Sequence, residues 1–598
     1  MTASKHLFRA ASLVFVPVLL TVVVVAVWFM RESDRGSVPP ANNCPLYFEE
    51  KKNVGLDGEI VSGSPDRLFI FESLGVGAAL FDFDNDGQLD VLIQNAGTTE
   101  IRQSAGKRRV ELIDGPGPKL YRQVQGGTFT DVTESAGVIG CGWGTGVAVG
   151  DIENDGDLDF FLSAFGMNCL YINEGKGRFR ESARRAGLDH RGLSSSAVFL
   201  DYDRDGWLDL YVANYMNFDL DQPPNEGLPC RELDVSISCG PAAHDPATDL
   251  LYRNRGDGTF EDVTSQSGCA LKRGAYGLGV IVTDVDLDGW PDIYVANDTS
   301  ANFLWRNRCD GTFEEVALYQ GAALSENAQG QAGMGLAVGD VNGDGWPDIF
   351  VSNYSREPNA YYESSGDGSF VDRSTPSGLG GTSFRDLGWG ARFLDGDQDG
   401  FLDLALVNGH VHPRSAEIDG AIPFRQPGRV FRGLGEGAFQ LVECETKGGL
   451  SVPRNHRGVA AGDVNGDGAL DLLVTVLDGP PVLLQNSSPN RGHWIGFRLR
   501  GRSSNREGIG SRVEIEAGGV KQVRGVSRGG SFLSSSDGLA HFGLGGSQTV
   551  GEVTVVWPSG TRSTFGPFVA GSVYELDENG SSSGRAVLPR RHKDRAGH

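Results

Sequence analysis

The chain has 598 residues, 39% hydrophobic and 22% charged, with a formal net charge of -25. That length exceeds one ordinary core, so two or more domains are expected, and many short apolar runs punctuated by 86 glycines exclude a disordered chain. The acidic balance has no basic stripe, which excludes nucleic acid as a partner, because phosphates need Lys and Arg to neutralise them.

Residues 1–9 carry Lys5 and Arg9, and residues 10–30 carry no charge. Twenty-one apolar residues at 1.5 Å rise suffice to cross a hydrocarbon layer of ~30 Å. This run predicts a single uncleaved signal anchor with a cytoplasmic residue 1–9 segment and the bulk of the chain extracellular or periplasmic. Secretion after signal cleavage is the alternative. Residues 31–43 read as a linker.

From 44 to 490 one nine-residue pattern recurs, best seen in Asp340-Val-Asn342-Gly-Asp344-Gly345-Trp-Pro-Asp348. Oxygen side chains stand at positions 1, 3, 5 and 9, with Gly at 6 to allow the sharp turn. Six to eight oxygens around a hard cation is calcium chemistry. An EF-hand needs Glu at position 12, where this loop has Val351 inside a strand-like run. The other copies place Asp82, Asp84, Asp86 and Asp90; Asp151, Glu153, Asp155 and Asp159; Asp201, Asp203, Asp205 and Asp209; Asp284, Asp286, Asp288 and Asp292; Asp395, Asp397, Asp399 and Asp403; and Asp463, Asn465, Asp467 and Asp471. Up to seven structural Ca²⁺ are expected. Full occupancy would offset more than half of the formal charge.

Each repeat holds four strand-like pieces. A Gly-rich strand enters the loop and an alternating strand leaves it. A third runs through a Gly hairpin into a fourth, as in Leu251 to Thr264. Four antiparallel strands repeated radially make a β-propeller. The fold class is therefore all-β, a seven-bladed β-propeller with calcium loops and a small all-β C-terminal domain, preceded by one transmembrane helix. The seventh unit lacks a fourth strand, and Tyr47–Gly55 resembles one, so the N-terminal strand is expected to close the last blade.

This layout puts the loops on one face and the long elaborations, Tyr215–Asp249 above all, on the other. The second face is the expected ligand face, with Asp298, Arg385, His410, His412, Arg454 and His456 as its candidates. An enzyme there, a glycan hydrolase or lyase using a carboxylate and a His, is the alternative to a binding module. Arg-Gly-Asp at 255–257 falls in a hairpin template and reads as a turn. Cys230 and Cys239 are expected to bridge the Pro-rich insertion, and Cys141 and Cys169 share one face of the second unit. Residues 491–577 change to short strands with Gly turns, a small all-β domain. Residues 578–598 read as a disordered tail.

The repeats resemble the FG-GAP/VCBS class of integrin α-subunit propellers. Asn505-Arg-Glu-Gly-Ile-Gly-Ser-Arg-Val, Gly529-Gly-Ser-Phe-Leu-Ser-Ser-Ser-Asp537, His541-Phe-Gly-Leu-Gly545 and Trp557-Pro-Ser-Gly560 resemble the ASPIC/UnbV domain. Together they look like the cartilage acidic protein family over about 44–577. The resemblance implies a calcium-binding extracellular interaction or adhesion module for protein or glycan ligands, without established catalysis. A monomeric ectodomain is expected. Glu153 at position 3, Ser238 before Cys239 and the single anchor depart from the family pattern.

Overall fold

The computed structural model describes residues 44–585 apart from 105, 125–126, 272–273 and 445–448. These residues form two units. Of the small one, Cys44, Glu443 and Cys444 are described, and Cys44 is bonded to Cys444. The large one, described over 45–442 and 449–585, holds every sheet among the described residues.

The large unit is all-β and propeller-like. Its first sheet is Ala78–Phe81, Asp90–Ile93, Lys119–Val124 and Thr128–Asp131, paired antiparallel in that order. The pattern repeats in six further groups of four. They begin at Trp143–Gly150, Arg191–Leu200, Gly277–Thr283, Leu336–Gly339, Gly388–Leu394 and His456–Gly462. The second and third groups are joined edge to edge through Arg191↔Met167 and Leu193↔Phe165. The last group takes its fourth strand from the other end of the sequence, with Phe48↔Asn486 and Glu50↔Leu484 in register.

Successive sheets bury apolar faces against each other, which is why each strand alternates or runs fully apolar. Phe81, Leu92, Val149 and Phe160 fill one such layer. Val280, Ile293, Tyr211 and Trp305 fill another, and Phe350, Phe393, Leu404 and Phe431 a third. Each fully buried side chain of this size contributes about 1.5–3 kcal/mol. One recurrent amide fastens the layers. The Asn or Gln ending a third strand donates to the loop of the preceding sheet: Asn173 to Phe83 O, Asn254 to Ile152 O, Asn307 to Tyr202 O and Asn486 to Gly396 O. Gln123 of the first sheet donates to Val464 O of the last at 2.9 Å, so the series returns on itself.

The C-terminal part stacks two four-stranded sheets. One is Ala540–Gly545, His493–Arg500, Val573–Asp577 and Ser582–Arg585, and the other is Val520–Gly525, Arg512–Ala517, Val553–Val556 and Arg562–Phe565. Ile495, Phe497, Val513, Val555 and Trp557 lie between them. The segment Gly529–Asp537 leaves this domain and enters the axis of the propeller-like part. Ser531 exchanges backbone bonds with Leu336, and Leu533 O accepts from Val147 N. Ser535 pairs with Ala78 and Leu80, and Asp537 N donates to Ala461 O. Phe532 is fully buried and packs on Trp389 with ring centroids 4.7 Å apart. The glycines facing this segment leave room for it: a Cβ on Gly77 would stand 1.6 Å from Leu533 O, and one on Gly458 2.2 Å from Ser534 Oγ.

Three expectations change. No helix among the described residues is long and apolar enough to cross a membrane, which overturns the single-pass localisation. The described helices span only three or four residues, and the longest described strand ten. The expected anchor at 10–30, with 1–9 and 31–43, lies outside the described residues. Residues 578–585, expected to belong to a disordered tail, are ordered: Glu578 is buried, accepting from Arg502 N, Ser503 N and Ser504 Oγ, and Ser582–Arg585 extends a sheet edge. Residues 586–598 lie outside the description. A hairpin of Gly97–Ser104 and Lys107–Asp114, absent from the sequence reading, elaborates the first sheet.

Candidate functional site

The acidic loops share two hydrogen bonds, one from the Gly N–H at position 6 to the carboxylate at position 1 and one from the third strand to position 9. At the first, Asp82 at position 1 accepts from Asp86 N and Gly87 N, closing the turn. Asp86 at position 5 accepts from Gln88 N. Asp90 at position 9 accepts from Phe83 N and, through its other oxygen, from Gln123 N on the third strand. The position-9 clip recurs in Asp159, Asp209, Asp292, Asp348, Asp403 and Asp471, each tying its loop to the third strand. Position 9 is therefore first a strut, and Asp348 also accepts from the Tyr361 hydroxyl.

What remains is a set of acceptor-only oxygens facing one another. Ligand atoms converge within 4.8 Å in Asp82, Asp84 and Asp86, in Asp201, Asp203 and Asp209, in Asp284, Asp286 and Asp292, and in Asp395, Asp397 and Asp399. Asp84 Oδ1, Asp201 Oδ1 and Asp397 Oδ1 are buried without a hydrogen-bond partner. Burial, reinforced by like-charged neighbours, pushes Asp90 up to about 8 and Asp201, Asp284 and Asp395 to about 7. Orphaned buried carboxylate oxygens in a turn of this shape fit a hard divalent cation. The loops at 151, 340 and 463 share the hydrogen bonds: Asp151, Asp340 and Asp463 each accept from the Gly at position 6. Glu153, Asn342 and Asn465 take position 3, with Asp155, Asp344 and Asp467 at position 5.

The C-terminal domain sits on this same face. Glu507 accepts from Asp151 N, and Arg506 N donates to Asn154. Arg512 donates to Gly345 O, and Gly543 N to Asp395 Oδ2. Between them open two adjoining cavities of about 440 and 570 Å³, sharing Asp82, Asn85, Arg498, Asp537 and Glu575. The first is also lined by Arg500, Arg506 and Arg528. Arg528 holds Glu507 and leaves its Nη1 buried and unpartnered.

The six residues expected on the opposite face are placed differently from one another. Arg385 is exposed. Asp298 accepts a hydrogen bond from Tyr215 at 2.6 Å and is pushed up to about 6 by burial. Arg454 pairs with Glu50 at 2.8 Å. His410, His412 and His456 are all buried; Arg457, 4.1 Å over Trp389, donates to the carbonyls of His410 and His456, and His412 packs against His410. Cys230 and Cys239 are bonded, and their loop brings Ser238 Oγ to 3.5 Å from His412. Cys141 and Cys169 are unbonded, and the Cys141 neighbour raises the Cys169 thiol.

Burial holds His410 down at about 3, and His412 and His456 at about 4. The unfolded chain takes up these protons below pH 6.5 and the folded chain does not. The stability they carry is therefore complete above 6.5 and lost as pH falls towards 4, by about 3 kcal/mol per imidazole. Urea unfolding between pH 7 and 4 is expected to show this slope, and His456→Gln to flatten it. An identical slope in the variant would contradict the assignment.

The FG-GAP-like repeat family matches residues 82–162, 154–212, 235–295, 284–351 and 340–406, and the ASPIC and UnbV family matches residues 501–583. Cartilage acidic protein 1 of Homo sapiens is 25% identical over 515 residues, 81% of this chain and 69% of that protein. Integrin alpha-7 of Homo sapiens is 30% identical over 152 residues, 24% of this chain and 12% of that protein. An Agrocybe aegerita lectin structure aligns with 69% of this chain and 93% of its own at 16% identity and a TM-score of 0.37.

Proposed function

Because the chain belongs to the FG-GAP-like repeat family and carries an ASPIC and UnbV domain, we propose that it is a calcium-bearing, seven-bladed β-propeller that binds a glycan between its loops and its C-terminal domain. The ring reading is supported by the Gln123–Val464 bond joining last sheet to first. Calcium is supported by the orphaned oxygens of Asp84, Asp201 and Asp397. Calcium is structural in this reading, supplying a divalent partner for carboxylate oxygens that no hydrogen bond reaches. Two disulfides suit an oxidising compartment.

One observation carries the binding reading: the adjoining cavities share guanidinium and carboxylate groups set side by side, Arg498 with Asp537 and Glu575. Carboxylates accept from sugar hydroxyls, and arginines take acidic substituents in bidentate fashion. The proposed ligand residues are Arg500, Arg506 and Glu575, with Arg498 and Asp537 held to each other at 2.8 Å as the floor. The test is a glycan panel with calcium present. Arg500→Ala and Arg506→Ala are expected to lose at least ~10-fold in affinity, the size of one charged hydrogen bond. Arg385→Ala, exposed on the other side, is expected to bind as wild type. The reverse outcome would move the ligand to the opposite face, and capture of protein but no glycan would change its class.

A further inference from the structure

The third strand of each sheet carries one residue immediately before the N–H that its position-9 carboxylate holds. In the loops at 82, 201, 284 and 395 that residue is Arg122, Arg253, Arg306 and Arg432. These are the four loops with Asp at position 3, and the four whose carboxylates converge within 4.8 Å. Where position 3 is Asn, at 342 and 465, the same strand position is Glu363 and Gln485; where it is Glu153, it is Ile172. An Asp at position 3 is thus matched by an arginine on the third strand, whereas Glu153 is not.

Three of these arginines span positions 3 and 5. Arg122 meets Asp84 at 2.6 Å and Asp86 at 3.3 Å. Arg253 meets Asp203 at 2.7 Å and Asp205 at 3.3 Å. Arg432 meets Asp397 and Asp399, each at 2.7 Å. Arg306 lies instead towards Glu314 at 3.8 Å. At 340 the Asn342 amide donates to Asp344, and at 463 Arg491, from the connection to the C-terminal domain, reaches Asp467 alone. The side chains of Arg122 and Arg253 are 47% and 45% exposed, so each has water to swing into.

We propose that Arg122, Arg253 and Arg432 are displaceable counter-cations, each holding the position-3 and position-5 oxygens that calcium would take. Calcium enters these loops by driving the guanidinium off. The loops at 82, 201 and 395 therefore keep their shape without metal but bind it more weakly than those at 340 and 463. This rests on the calcium reading above, and deepens it by dividing the loops into two classes.

Arg253→Gln in the full chain tests it, because Trp207 at position 7 of that loop sensitises Tb³⁺ luminescence and Trp207→Phe identifies its share of the signal. Removing a unit charge beside a multivalent cation is expected to tighten the Trp207-dependent phase at least ~10-fold. The same variant is expected to melt lower than wild type in chelator, its carboxylates having lost their partner. Gln485→Arg, read by calcium calorimetry, is expected to weaken one site. Unchanged or weaker Tb³⁺ binding by Arg253→Gln overturns the proposal, as does an unaltered calorimetric profile for Gln485→Arg. Loss of the Trp207-dependent phase from wild type and variant alike overturns the calcium reading with it.

Discussion

Chelating calcium from the full chain is expected to lower its melting temperature by on the order of 10–20 °C. Each site saturated at about 100 times its Kd adds about 2.7 kcal/mol, and a chain of this size has an unfolding entropy near 1 kcal/mol/K. The cost without metal is local and named. Asp201 is 3% exposed with one oxygen unpartnered, and Asp203 and Asp205 add like charge beside it. Arg253 relieves part of this in that loop, whereas in the loop at 340 the Asn342 amide takes the corresponding place beside Asp344. Differential scanning calorimetry in calcium, magnesium and chelator checks it. A shift under ~2 °C would remove calcium from the account of stability, since even one saturated site exceeds it.

Phe532→Ala is expected to destabilise the whole large unit by about 3–5 kcal/mol, the usual loss for a buried aromatic. Phe532 has no exposed surface and packs on Trp389, while its neighbours bond to the innermost strands through Ala78, Val147, Leu336 and Ala461. Leu533→Asp is expected to cost more, because it places a charge beside Gly77 with nothing to pair it. Urea unfolding followed by tryptophan fluorescence should therefore show one transition for repeats and C-terminal domain together. Two separate transitions, with only the smaller one moved by Phe532→Ala, would mean that the segment merely rests in the axis.

The repeated loops were legible because their chemistry is local: a turn that gathers carboxylates must place them at odd positions and Gly at 6. Strand pairing within each repeat was legible for a similar reason, and the borrowed strand Phe48–Glu50 because the last repeat lacked one. The opposite-face histidines follow from residue type and from the loops that carry them. Sequence carried no sign that His410, His412 and His456 would be packed among Arg457, Trp389 and Ser238. The Asn ending most third strands was visible as a hairpin residue, yet its bond reaches the neighbouring repeat, which no local pattern announces.

By itself, then, the sequence determined the repeating unit, the gathering of oxygen side chains in its loops and the all-β class, since each follows from residues a few positions apart. Only the tertiary structure decided where those units lead. Gly529–Asp537, read as a family motif, became the filling of the axis because the Gly-rich inner strands leave backbone groups that need partners there. The same docking brought Arg498, Arg506 and Arg528 over the loops at 82 and 151. Residues separated by more than 300 positions met through packing, and packing is what short-range pattern cannot carry.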